Sequence, residues 1–188
     1  RVEYGKPKAP FREDMDCAPV NEYGRAKWEF YRKAAALSGQ LGIRFFHLRF
    51  FSVYGPGDHL WSIISTLCRD LPLGKTVSLS ACRHLWNFMY IQDAAEAVYA
   101  LYRHGNENPS AIVNVAGGDT RPLRSFVEEI YEIAGRRGTL EYGTFVQAKE
   151  GAPDVCPDIS RLLAFTRGDW KERYTFRQGI EETIRSTE

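Results

Sequence analysis

The stretch IRFFHLRF (43–50) reads as a strand that is apolar on both faces apart from His47 and Arg49. A strand buried on both sides marks a parallel sheet covered by helices, whereas a half-solvated antiparallel strand alternates apolar and polar residues. The segments around it keep to that plan. Asn21 is placed to cap a helix running to about Ser38, and Gly39 and Gly42 punctuate its end. The turn-rich SVYGPGDH (52–59) leads into helical periodicity at 60–70, which stops before Pro72. TVSLS and NFMYI read as short strands. A helix over 93–104 follows, with Asp93 at its start, where a carboxylate suits the helix dipole. AIVNVAG is another strand, and Thr120 is expected to cap a helix carrying Pro122 in its first turn. TLEY is a short strand, and 158–166 and 176–186 are two further helices. This alternation predicts an α/β fold. Residues 1–20 read as a loop, with no strand–helix unit ahead of the first helix.

Composition narrows the function classes. The 188 residues, 44% of them hydrophobic and 13% aromatic, suffice for one domain or a domain plus a lobe. Twenty-five basic residues against 24 acidic ones give a net charge of +1, with no pull toward nucleic acid or an anionic membrane. No apolar run approaches the roughly 18 residues that span a bilayer, and no secretory signal opens the chain. Cys17, Cys68, Cys82 and Cys156 form no C-x-x-C pair and are expected to be free thiols in a reducing cytoplasm. His47, His59, His84 and His104 show no metal-ligand spacing.

Two tyrosine–lysine pairs at four-residue spacing stand out: Tyr4 with Lys8 in VEYGKPK, and Tyr23 with Lys27 in NEYGRAKWEF. The spacing alone says little in a chain with 10 tyrosines. Geometry separates the two pairs. Residues i and i+4 share a helix face, with Cβ atoms about 5–6 Å apart. Pro7 denies Tyr4 and Lys8 a helix, and EYGRAKWEFYRKAAAL has no such break. A phenol near pKa ~10 is a poor acid or base at neutral pH. A neighbouring ammonium favours the phenolate and tunes the group for proton transfer. A surface tyrosine beside a solvated lysine would have the same spacing.

Four further stretches add to the second pair. PVNEYGRAKWEFY, LRFFSVYGPGD, WNFMYIQDAAEAV and VNVAGGDTRPLRSFVE, in this order and spacing, resemble the extended short-chain dehydrogenase/reductases, the NAD-dependent epimerase/dehydratase family. The tail PDISRLLAFTRGDWKERYTFRQGIEETI also resembles that family's C-terminal pattern. The resemblance spans essentially the whole chain. It implies the C-terminal part of a Rossmann-like doubly wound parallel sheet plus a small α/β substrate-binding lobe. Residues 1–58 would remain from the dinucleotide-binding domain. Residues 59–188 would be mainly the lobe, with about 85–115 returning to the sheet. Tyr23 would be the catalytic acid/base, and Lys27 would lower its pKa and bind the nicotinamide ribose of NAD or NADP. Phe50 and Phe51 would lie beside the cofactor and Ser52 would face the sugar. The substrate would be a nucleotide sugar, handled by epimerisation, 4,6-dehydration or 4-ketoreduction, as in bacterial surface-polysaccharide pathways. Family members often dimerise through the helix of the pair, where Trp28, Phe30, Tyr31 and Leu37 supply apolar surface.

The sequence departs from the family in three places. It contains no G-x-x-G-x-x-G or G-x-G-x-x-G for a pyrophosphate. The family's catalytic Ser or Thr would fall just before Arg1. Trp86 stands where an arginine often clamps the substrate diphosphate, and GAPD (151–154) replaces a second arginine motif. The first two departures point to a C-terminal portion, inactive by itself. For the third, Arg83, His84 or Lys149 are candidates for the anion contact, each equally readable as solvated charge. Trp86 either stacks on a base or sugar or simply packs. With Ser52 in place of the usual asparagine, these changes leave a second reading open: a non-catalytic relative that binds a ligand or a partner.

Overall fold

A computed structural model describes residues 3–5, 10–145 and 154–186. The first helix, α1 (Glu22–Gln40), starts where expected: the Asn21 side chain accepts a hydrogen bond from the Gly24 amide. Gly42, at φ +65°, closes it with its amide on the Gly39 carbonyl, a left-handed turn that glycine adopts without strain. One side of α1 lies on strand β1 (Phe46–Phe50), with Tyr31 4.7 Å from the His47 ring and Trp28 over Arg49.

β1 runs parallel to β6 (Ala111–Val115), Phe46 opposite Ala111 and Phe50 opposite Val115. The chain then changes partner. β2 (Val53–Tyr54) pairs in parallel with β5 (Met89–Tyr90), and β3 (Thr76–Leu79) in parallel with β8 (Thr139–Tyr142). β4 (Leu85–Asn87) meets β7 (Thr120–Pro122) antiparallel. The remaining helices are α2 (Ile63–Asp70), α3 (Ile91–Arg103), α4 (Leu123–Ile133), α5 (Ser160–Thr166) and α6 (Phe176–Arg185). The expected α/β alternation with parallel pairing is what the structure shows.

Several local expectations are corrected. NFMYI is two strands, because Phe88 sits between an antiparallel and a parallel pairing. The SVYGPGDH loop hides the two-residue β2. Thr120 lies in β7, and α4 begins at Leu123 without a side-chain cap. Asp93 lies in the first turn of α3, as expected, and is in addition a buried anchor. Its carboxylate accepts the amides of Arg173 and Tyr174, at 2.9 and 3.0 Å, and ties the start of α3 to the C-terminal segment.

Three apolar clusters hold these elements. One joins α2, β3, α4 and α6 through Leu67, Val77, Phe126, Ile130 and Ile180. A second joins β1, α3, β6 and α5 through Ala97, Leu101, Val113 and Leu162, sealed by Trp170. A third, of Tyr4, Phe11, Phe51, Ala116 and Val155, packs the N-terminal loop under the end of β1.

Candidate functional site

α1 presents Tyr23 and Lys27 on one face, with the Lys27 ammonium 5.5 Å from the centre of the Tyr23 ring. That distance is within cation–π range. The tyrosine is 61% exposed. Both side chains line an open recess of about 400 Å³, floored by β1 and by Glu3, His47, Arg49 and Phe50. The i, i+4 spacing read from sequence therefore brings a phenol and an ammonium to the same concave surface.

The twin pair is different in kind. Tyr4 is 1% exposed; its hydroxyl donates to Asn114 Oδ1 at 2.8 Å, and the Arg49 guanidinium lies 4.3 Å from its ring centre. Burial raises the Tyr4 phenol above its ordinary pKa, away from proton exchange at neutral pH. Lys8 is outside the described residues.

The other expected site residues divide. Phe50, 46% exposed, lines the recess, and Phe51 does not: it is fully buried, packed against Phe11 at 5.7 Å. Ser52 is half-buried at the turn between β1 and β2, with φ at +35°. His84 and Trp86 line a second cavity of about 370 Å³ between α2, β3 and β4, together with Trp61 and Phe145. Arg83 is exposed and is not part of that lining. Lys149 is outside the described residues.

Sequence reasoning missed the floor of the recess. Glu3 places its carboxylate 2.8 Å from His47 Nε2 and accepts a 2.8 Å bond from Arg49 Nε. Burial works to raise the Glu3 pKa, but the bonds from His47 and Arg49 outweigh it and hold the group low. The signal was present as F-H-L-R-F: alternation along β1 puts His47 and Arg49 on one strand face.

The recess suits one end of a dinucleotide. A phenol and an ammonium can meet ribose hydroxyls, and an exposed phenylalanine can meet a flat ring. No glycine-rich phosphate turn accompanies them, because the sequence contains none. Among the described residues no cluster of His, Cys, Asp and Glu is arranged to hold a metal ion. No described helix is long and apolar enough to cross a membrane.

Comparison with known proteins gives a consistent result. The sequence model of the NAD dependent epimerase/dehydratase family matches residues 2–116. A Bacillus subtilis (strain 168) protein described as an uncharacterized UDP-glucose epimerase, YtcB, is 25% identical over 162 residues, 84% of this chain and 49% of its own length. The chain thus spans about half the length of this relative. Among solved structures, MoeE5 in complex with UDP-glucuronic acid and NAD is 25% identical, with a TM-score of 0.83 over 99% of this chain and 62% of that one. RMD from Pseudomonas aeruginosa complexed with NADPH is 21% identical, with a TM-score of 0.87 over 98% of this chain and 63% of that one. Both superpositions show the Rossmann-like α/β fold.

Proposed function

The chain belongs to the NAD-dependent epimerase/dehydratase family, and from that membership we propose that it is the C-terminal portion of an NAD(P)-dependent enzyme acting on a nucleotide sugar. The observation that carries this reading is the convergence of Tyr23, Lys27 and Phe50 on one recess. The MoeE5 and RMD complexes support NAD or NADP as the cofactor. When bound, the nicotinamide would accept or return a hydride at a sugar carbon. Tyr23 would take the proton of the neighbouring hydroxyl at its phenolate oxygen, and give one back in the reverse sense. Lys27 would bind the ribose hydroxyls with its ammonium. Glu3, His47 and Arg49 would fix the floor beneath the pair. Residues 1–58 would belong to the dinucleotide-binding domain and 59–188 mainly to the substrate lobe, where His84 and Trp86 line a cavity. The four free cysteines suit a reducing cytoplasm.

The test is turnover of nucleotide sugars by the longer protein that contains this chain. Tyr23→Phe removes the proton-transferring oxygen and should lower kcat by about 10²–10⁴-fold, with far-UV circular dichroism unchanged. Lys27→Met should lower kcat and raise the KM for the cofactor, because the ribose loses its ammonium partner. Unchanged turnover in Tyr23→Phe would remove Tyr23 from the mechanism and leave a ligand-binding relative as the better account.

A further inference from the structure

We propose that a cavity between β5, α4 and the start of α6 binds a guanidinium group, gripped between aromatic faces and the Glu172 carboxylate. The cavity holds about 310 Å³ and shares no lining residue with the Tyr23 recess or with the cavity of His84 and Trp86.

Its inner wall is aromatic. Tyr54, Phe88, Tyr90 and Phe126 are buried, and Tyr174 and Phe176 are half-buried on the same lining. The rings brace one another: the centroids of Phe126 and Phe176 are 4.7 Å apart, as are those of Tyr90 and Tyr174. Ring faces attract a cation, most strongly where water is excluded. The opposing charge is Glu172, at the mouth. Its Oε2 accepts the Gly118 amide at 2.9 Å, and a Cβ on Gly117 would stand 2.7 Å from its Oε1. The carboxylate is therefore seated over the Gly117–Gly118 turn. Partial burial raises its pKa against the pull of the Gly118 bond, and the charges of Asp93 and Asp119 raise it further. Among the described residues no cation pairs with it. A partly desolvated carboxylate without a counter-charge, beside an aromatic wall, is the complement of an organic cation.

The same rings show which cation fits. The Arg121 guanidinium lies 4.0 Å from the centre of Phe126 and 5.4 Å from that of Phe176, and Asp119 and Glu129 hold it there. A planar guanidinium stacks on a ring and forks onto a carboxylate at the same time, which a compact ammonium does not. Arg121 thereby neutralises Asp119, and Glu172 is left for a second guanidinium brought by a ligand. Arg173 is on the lining as well, but it makes no ion pair with Glu172, and its amide donates to Asp93.

Proton–nitrogen NMR titration of the chain with methylguanidinium, with methylurea and with a capped arginine peptide tests the site. Methylguanidinium should shift the Gly117 and Gly118 amides and bind about tenfold tighter than methylurea, its neutral isostere. Glu172→Gln keeps an acceptor for the Gly118 amide but removes the charge, and should abolish that preference. Arg173→Gln removes a like charge from the lining and should tighten the binding. Circular dichroism checks the fold of both variants. A peptide bound more than about tenfold tighter than methylguanidinium supports the site and assigns it to an arginine of a protein partner, and a smaller difference supports it as a site for a free small cation. No binding of methylguanidinium, equal binding of methylurea, an unchanged preference in folded Glu172→Gln, or weaker binding in folded Arg173→Gln would each overturn the proposal. None of these outcomes depends on the role of Tyr23.

Discussion

Ser52 holds φ at +35°, a region that costs an L-residue about 1–2 kcal/mol. The cause is a change of partner. The Phe51 amide still donates to Val115 of β6, whereas the Ser52 carbonyl already accepts from Met89 of β5. The backbone must turn within those two residues, and bonds on both sides hold it there. Asparagine, the family's usual residue at this position, tolerates such a turn better than serine. Ser52→Gly should raise stability by about 1 kcal/mol, and Ser52→Val should lower it, both read from the denaturant midpoint at constant slope. The two tyrosines show how far residue-level reading reached. Pro7 argues against a helical Tyr4–Lys8 pair; Lys8 lies outside the described residues, and Tyr4 itself is buried. What could not be read was why Tyr4 is buried: its partner, Asn114, lies 110 residues away.

At the scale of elements, the helices and the four-residue strands β3 and β8 were legible and the two-residue strands were not. α1 declares itself by its Asn21 cap and the glycines at its end, and α3 by Asp93 at its start, whereas β2 and β5, at two residues each, exist only because they meet. β1 was expected to bury its apolar residues on both faces. Its most buried members are instead His47 and Arg49, because Glu3 comes back over the strand to meet them. Arg49→Met would leave the Glu3 carboxylate buried with only His47 and should cost about 3–5 kcal/mol. α6 is set by close approach. A methyl on Gly179 would run into the Tyr54 hydroxyl and lie 2.8 Å from the Tyr90 ring, so Gly179→Ala should destabilise by about 1–3 kcal/mol and disturb the Tyr54 bond to the Phe176 carbonyl.

A second tie between elements depends on pH. His104, at the end of α3, lies 2.7 Å from Asp169 and 3.3 Å from Glu107, and Arg103 and Arg167 pair with the same two carboxylates. The Asp169 bond, then that of Glu107, raises the His104 pKa. A group whose pKa is higher in the folded state gives its stabilisation in full below the unfolded value, about 6.5, and loses it as pH rises through the folded value. The wild-type Tm should therefore fall between pH 6 and alkaline pH by more than that of His104→Gln, which lacks the titrating group. Equal falls in the two proteins would show that the clasp contributes nothing.

Across the whole molecule, one side is finished and the other is open. α1 fully buries only Gly24, and Tyr23, Phe30, Leu37 and Leu41, at seven-, seven- and four-residue intervals, form an exposed stripe. Of the four residues expected to serve dimerisation, Phe30 and Leu37 are on that outer stripe, whereas Trp28 and Tyr31 stack on each other toward β1. Among the described strands, β1 pairs with β6 alone. The open side is also the side of the Tyr23 recess. A dinucleotide placed there would find a phenol, an ammonium and an aromatic ring, and no glycine turn for its pyrophosphate. The pyrophosphate of such a ligand is held at a helix N-terminus behind a glycine-rich turn. The 188-residue chain should accordingly bind NAD more weakly than micromolar in calorimetry. It should also self-associate with rising concentration in sedimentation velocity, driven by the uncovered stripe. Phe30→Glu with Leu37→Glu should suppress the association and leave circular dichroism unchanged. Micromolar NAD binding by the chain alone would mean that its own residues complete the cofactor site, and the assignment of the pyrophosphate to another segment of a longer protein would fail.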